Sequence, residues 1–195
     1  MFSIIPWDHY ALITELASRL AEKPVQFGKT SLQKILFILQ EGYGVKCGYD
    51  FTLYNYGPYC VDVTIDLDQT ETLGGVTVVS IYSGTGGYQL KPGSKTEDLK
   101  KRAQQFLLEN REKIDHVIET FGTMNARELE LRATLLFAAN EAKDNHEPIS
   151  VDSLYSIIKS IKPKYSDEEI YSGIDDIQRA GLVKWGATLS KDGDG

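Results

Sequence analysis

Residues 50–93 read DFTLYNYGPYCVDVTIDLDQTETLGGVTVVSIYSGTGGYQLKPG, and how this stretch folds decides the architecture. It opens on a turn, Tyr54-Asn55-Tyr56-Gly57-Pro58-Tyr59, and halts at Leu73-Gly74-Gly75-Val76 before doubling back at Gly84-Thr85-Gly86-Gly87. The segment after Cys60 carries two periods at once. Val61, Val63, Ile65 and Leu67 alternate with Asp62, Thr64, Asp66 and Asp68, which is the period of a half-buried strand. Val63, Leu67, Thr70 and Leu73 also follow a helical stripe, Gly57-Pro58 suits a helix start, and Gly74 sits where a left-handed C′ residue would end one. We read the segment as a helix. Val76, Val78, Val79 and Ile81 then form one arm of a β-hairpin, and Tyr88-Gln89-Leu90 form the returning arm.

Working outward, a first helix begins near Trp7 or Asp8, because Pro6 is tolerated in a first turn, and it ends before Pro24. Its face is Tyr10, Ile13, Leu16, Ala17 and Leu20. A second helix starts on a capping box, Thr30 with Gln33, and runs through Leu32, Ile35, Leu36 and Leu39. A helix, a helix, a third helix and a hairpin make the order of parts of a winged helix-turn-helix. From Glu97 the spacing of Leu99, Ala103, Phe106, Leu107, Ile114, Val117, Ile118 and Phe121 predicts one long amphipathic helix stopped by Gly122. Further helices start at Asn125 (with Glu128), at Ser150 and at Ser166 (with Glu169), and the last stops at Ala180-Gly181 before a short strand, Leu182–Trp185. The repeated Gly stop before a valine strand reads as a duplication with a clipped second wing. The expected fold is mostly α (α+β). Residues 1–96 form a winged-helix unit with a β-hairpin wing, 97–122 a long connecting helix, 123–190 a second trihelical, winged-helix-like unit, and 191–195 a flexible tail.

Composition narrows the function classes. The chain has 195 residues, 42% apolar and 25% charged, enough to bury a core in one domain or two small ones. A net charge of -7 opposes general binding to nucleic acid or anionic membrane. The two cysteines, Cys47 and Cys60, have no metal or disulfide spacing, and His9, His116 and His146 are scattered, so reduced thiols in a cytoplasmic protein are expected. The first residues lack the basic and apolar regions of a signal peptide, and no stretch approaches the roughly 18 apolar residues of a membrane span.

Ser31-Leu32-Gln33-Lys34-Ile35-Leu36-Phe37 is similar to the "LQK-hydrophobic" helix of YwgA-like proteins and of the related SocA-like antitoxin (Panacea) domain. Phe51 through Tyr56-Gly57-Pro58-Tyr59 resembles their aromatic-x-Tyr/Phe-Gly-Pro turn, and Leu73-Gly74-Gly75-Val76 their "Leu-Gly-x-hydrophobic" helix end. Glu128-Leu129-Glu130-Leu131 with Ala133-Thr134 resembles a further "ELE-x-x-AT" segment. The likeness extends from about Lys29 to Val183. It implies a winged-helix fold in prokaryotic proteins of poorly known function, and its antitoxin branch implies protein–protein work that adapts a toxin to a protease. Thr70 departs from the pattern, which expects a larger apolar residue there. The family carries no agreed catalytic residues.

No pattern in the chain points to an enzyme or to a cofactor. Gly28-Lys29-Thr30 imitates the end of a phosphate-binding loop, but position 23 is Lys23 where that loop needs a glycine, and no strand precedes it. Gly84–Gly87 has no helix behind it to hold pyrophosphate. Asp66/Asp68 and Asp175/Asp176 lack a neighbouring His, and adjacent residues on a helix point apart. No metal site, nucleophile triad or Cys-His pair emerges.

Tyrosine and charge point to recognition instead. Tyr43, Tyr49, Tyr54, Tyr56 and Tyr59 crowd around the Gly-Pro turn, and tyrosine combines large contact area with few rotors. Between Asp50 and Leu90 lie Asp50, Asp62, Asp66, Asp68 and Glu71 and no Lys or Arg, so a reading helix there would repel phosphate. The last helix carries Asp167, Glu168, Glu169, Asp175 and Asp176 against Arg179. The expected activity is therefore non-enzymatic, regulatory and antitoxin-like: a basic protein partner, with no membrane and with homodimerisation left open, held by Tyr54, Tyr56, Tyr59, Asp62 and Asp66. Replacing Asp62 and Asp66 by Lys is expected to abolish capture. The alternative is a DNA-binding transcriptional regulator that touches backbone through Lys91, Lys95, Lys100, Lys101 and Arg102. A second alternative is an accessory component of a prokaryotic defence system.

Overall fold

The computed structural model describes residues 5–82, 84 and 86–184. Helix α1 (Trp7–Leu20) is followed by α2 (Lys29–Phe37), which runs into a π-helical turn, Ile38–Gly42. A small hairpin, β1 (Thr52–Tyr54) and β2 (Gly57–Tyr59), leads to α3 (Val61–Thr72), and a second hairpin joins β3 (Val76–Ile81) to β4 (Gly87–Pro92). Then come α4 (Thr96–Arg102), α5 (Gln104–Glu109), α6 (Arg111–Phe121), α7 (Ala126–Asp144), α8 (Val151–Ile161) and α9 (Asp167–Arg179). At 60% helix and 10% strand the chain is mostly helical, and among the described residues the strands form two hairpins. Two compact units divide at Ala133/Thr134, inside α7.

The first unit is built on α1. Leu12, Ile13, Leu16 and Ala17 are fully enclosed, and α3, α4, α5 and the β3–β4 hairpin all pack against the helix. Burying each of the large side chains is worth about 1.5–3 kcal/mol. Helix α2 adds Leu32, Ile35, Leu36 and Phe37 to the same core and also packs on β2 and β4. The two hairpins are antiparallel: Thr52 faces Tyr59 and Tyr54 faces Gly57 in one, Val76 faces Pro92 and Ile81 faces Gly87 in the other.

The ambiguous segment is a helix, α3, and the reason is visible in which residues it buries. Val63, Asp66, Leu67 and Thr70 turn inward at helical spacing, while Val61 and Ile65, which a strand would have put beside Val63, face outward. Gly74 takes a φ of +81° at its end, and Gly75 N–H donates back to the Thr70 carbonyl at 2.9 Å. Thr70 is small for a steric reason. A Cβ on Gly75 would meet the Thr70 methyl at 2.9 Å and Thr14 Oγ1 at 2.6 Å, so this corner has no room for a larger side chain.

Several expectations change. The second helix does not use the Thr30–Gln33 capping box. Its N-cap is Gly28, without a side-chain cap, and Gln33 reaches instead to Cys60, donating to its carbonyl at 2.9 Å and accepting from its N–H at 3.0 Å. The stretch 97–122 is three helices rather than one, broken at Ala103 (φ -128°, ψ 37°) and Asn110 (φ -105°, ψ 6°). Its first part packs on α1 and so belongs to the first unit's body rather than connecting two others.

The second unit comprises the later part of α7 with α8 and α9. Leu154 and Ile158 of α8 and Ile170, Ile174 and Ile177 of α9 are buried. Ser166 and Glu169 form the expected capping box, and Asn125 with Glu128 caps α7 in the same way. Gly181 ends α9 at φ +71°, with Leu182 N–H donating to the Ile177 carbonyl, the same closure that ends α3. No strand follows over Leu182–Lys184. Trp185 and the expected tail 191–195 lie outside the described residues.

Candidate functional site

The β1–β2 hairpin owes its shape to a two-residue turn, Asn55-Tyr56, closed by Gly57 at φ +80°. Only a residue without a Cβ enters that region freely. Behind the turn the chain is strapped to α2. Lys34, buried, donates from Nζ to the Pro58 carbonyl at 2.6 Å, and Gln33 holds both polar groups of Cys60. Gln40, two helical turns on, does the same for Tyr49, donating to its carbonyl at 2.8 Å and accepting from its N–H at 2.9 Å. The tyrosines are thereby presented on a fixed base.

Tyr54 and Tyr56 are 65% and 68% exposed. Tyr59 is half-buried, its ring 5.8 Å from that of Tyr54, and its hydroxyl lies 3.2 Å from Thr64 Oγ1 on α3. Together with Lys29, Thr30, Gln33 and Lys34 of α2 these residues line an open cavity of about 580 Å³. Of the five residues expected to bind a partner, the structure thus gathers the three tyrosines around one cavity.

The two carboxylates separate. Asp62 is exposed in the first turn of α3. Asp66 is 8% exposed and turned into the protein, where its Oδ2 lies 2.8 Å from His9 Nδ1 and accepts from the Tyr49 hydroxyl at 2.9 Å. Asp66 therefore corrects the sequence reading: it is a structural carboxylate, and a lysine there would break the core rather than test a surface. In its place the outer face of α3 offers Val61 and Ile65, 58% and 51% exposed, beside exposed Asp62, Asp68 and Gln69.

The cluster of His9, Asp66 and Tyr49 was not legible in the sequence, since its members come from α1, α3 and the loop before β1. Burial works to lower the His9 pKa, but the hydrogen bond and charge of Asp66, with a backbone bond at Cys47 and the charge of Asp8, outweigh it, so the pKa rises above its ordinary 6.5. Burial and the neighbouring Asp66 charge push the Tyr49 hydroxyl up as well. Cys47, buried alongside, has its thiol raised to about 12 by burial and by the charge of Asp8, so it is no thiolate nucleophile at neutral pH. Among the described residues no group of three or more His, Cys, Asp or Glu could hold a metal ion. No helix among them is long and apolar enough to cross a membrane.

The basic stretch is partly committed within the protein. Lys100 bridges Glu15 at 2.9 Å and Glu97 at 3.3 Å, and the Arg102 guanidinium lies 4.3 Å over the Trp7 ring. Lys91, Lys95 and Lys101 are exposed. Compared with protein-family models and with curated protein sequences, the chain matches none.

Proposed function

We propose that the chain is a non-enzymatic interaction protein on a winged-helix scaffold, antitoxin-like in its work, that holds a basic protein partner on the outer face of α3 and the adjoining tyrosine turn. In this reading α1, α2 and α3 are the three helices and β3–β4 is the wing, so α3 occupies the place of a reading helix. The observation that carries the reading is the surface of α3. Two β-branched apolar residues stand in water between acidic ones, a combination that suits desolvation against a partner with steering by opposite charge. Phosphate would meet Asp62, Asp68 and Glu71 there with no cation on the helix. Tyr54 and Tyr56 add rigid aromatic area of the kind enriched at interface centres.

The test uses tagged wild-type protein to capture its partner from cell extract, with mass spectrometry to identify it, and repeats the capture with Val61→Lys, Ile65→Lys and Tyr56→Ala. The three changed side chains are exposed, so folding should survive, as circular dichroism would verify. Loss of the same partner in both lysine variants is the expected outcome. Undiminished capture by both would remove α3 from the reading.

A further inference from the structure

A second cavity, of about 310 Å³, lies at the N-terminus of α2, lined among others by Gly28, Lys29, Ser31, Tyr88 and Asn125. We propose that it binds a phosphate group, carried by inorganic phosphate or by a small phosphate monoester. The site shares Lys29 and Thr30 with the cavity at the tyrosine turn but uses neither that turn's tyrosines nor α3.

Three features converge on this cavity. The first is the start of α2 itself. Gly28 is extended (φ -114°, ψ -172°) and supplies no side-chain cap, no acidic residue stands in the first turn, and the N–H groups of Lys29, Thr30 and Ser31 have no hydrogen-bond partner among the described residues. The other helix that borders the cavity, α7, is capped by Asn125 Oδ1, which accepts from Arg127 N–H at 2.9 Å and Glu128 N–H at 3.0 Å. The second feature is Ser31. It is 1% exposed, and its Oγ has no partner among the described residues. A buried hydroxyl left unpaired is costly, and native proteins resolve nearly all of them. The third is Lys29, a cation at the first position of a helix, where the macrodipole disfavours it. Its ammonium sits 4.7 Å over the Tyr88 ring.

Each feature runs against a local rule, and one dianion answers all three. Free N–H groups at a helix N-terminus bind phosphate oxygens, a lysine adds a charge-assisted bond, and a serine hydroxyl donates another. Asn125 spends its Oδ1 on α7, which leaves its Nδ2 as a further donor. None of the residues lining the cavity is acidic, in a chain whose net charge is -7; the nearby Glu128 carboxylate accepts from Asn125 N–H at 2.8 Å. The wall is sterically defined too. A Cβ on Gly28 would collide with the Tyr88 carbonyl, and Gln26 Nε2 ties that same carbonyl at 2.9 Å.

The experiment is calorimetric titration of the full chain with sodium phosphate, then with adenosine monophosphate, at constant ionic strength in chloride, for wild type, Lys29→Ala and Ser31→Ala. Binding of either probe to wild type is expected, weakened roughly tenfold by Lys29→Ala and roughly fivefold by Ser31→Ala. Affinity for the nucleotide well above that for phosphate identifies an ester as the natural source, and equal affinity identifies free phosphate. Both variants remove a local conflict, so without ligand they should melt at or above the wild-type temperature, which separates lost binding from lost folding. No heat from either probe, or affinities that neither variant changes, would overturn the site.

Discussion

His9 and Asp66 lie 57 positions apart in sequence and 2.8 Å apart in space, and the pair makes stability depend on pH. Because the native state raises the His9 pKa, the folded protein binds this proton more tightly than the unfolded chain. The contribution is complete below about 6.5, where both states are protonated, and is lost as pH rises through the higher native value. The melting temperature should therefore fall between pH 6 and pH 8.5, and His9→Gln should flatten that fall. A wild-type profile as steep as that of the variant would show that the ion pair is not formed. Gly75 sets a second residue-scale expectation. Its Cβ position is filled by Thr14, Thr70 and Leu99, so Gly75→Ala should destabilise by about 1–3 kcal/mol, measured by urea unfolding. Neither effect was legible beforehand. Gly75 read as half of a Gly-Gly stop, and Asp66 as one of a row of surface acids, because nothing local distinguishes a carboxylate that meets a histidine from one that meets water.

At the scale of elements, α2 works as a rail for the chain that follows it. Gln33 and Gln40 each pair both side-chain atoms with one downstream residue, so the hairpin and the start of α3 are registered against the helix. Gln33→Leu keeps the bulk but orphans the N–H and carbonyl of buried Cys60. It should cost about 2–4 kcal/mol, read from denaturant unfolding, and should also loosen the tyrosine turn, visible as faster amide exchange at Tyr59 and Cys60. This rail explains why one capping box failed where two others held. Ser166–Glu169 and Asn125–Glu128 close within three residues and need nothing else. Gln33, at the same spacing from Thr30, is claimed by a residue 27 positions away. The break-up of 97–122 escaped for the opposite reason. Its apolar spacing continues through Ala103 and Asn110, neither of which announces a stop, although Asn110 Nδ2 folds back onto the Phe106 carbonyl at 2.9 Å. The helix–strand ambiguity of α3 was informative in itself. A sequence that satisfies the strand period and folds as a helix must leave some of its apolar residues outside, and those are Val61 and Ile65.

At the scale of the molecule, the distribution of charge favours the protein-partner reading over the DNA reading. Five acidic residues and no cation lie between Asp50 and Leu90, and two of the five basic residues from Lys91 to Arg102 are occupied by Glu15, Glu97 and Trp7. Wild-type protein should therefore leave labelled duplex DNA unbound at about 50 mM salt, as followed by fluorescence anisotropy. If the sign of the charge, and not the shape of α3, is what keeps DNA away, then reversing it should create binding. The double variant Asp62→Lys, Asp68→Lys turns two exposed repulsive positions into attractive ones without touching the buried Asp66. It should bind duplex at about 50 mM salt and lose it at about 200 mM, with no preference among sequences, because phosphate contacts position a protein but do not read bases. Tight, salt-sensitive binding by the wild type would move the DNA regulator to first place, with Lys91, Lys95 and Lys101 as its contacts. A folded double variant that still ignores DNA would mean that α3 does not present itself as a reading helix does, and the winged-helix assignment of this face would fall with it.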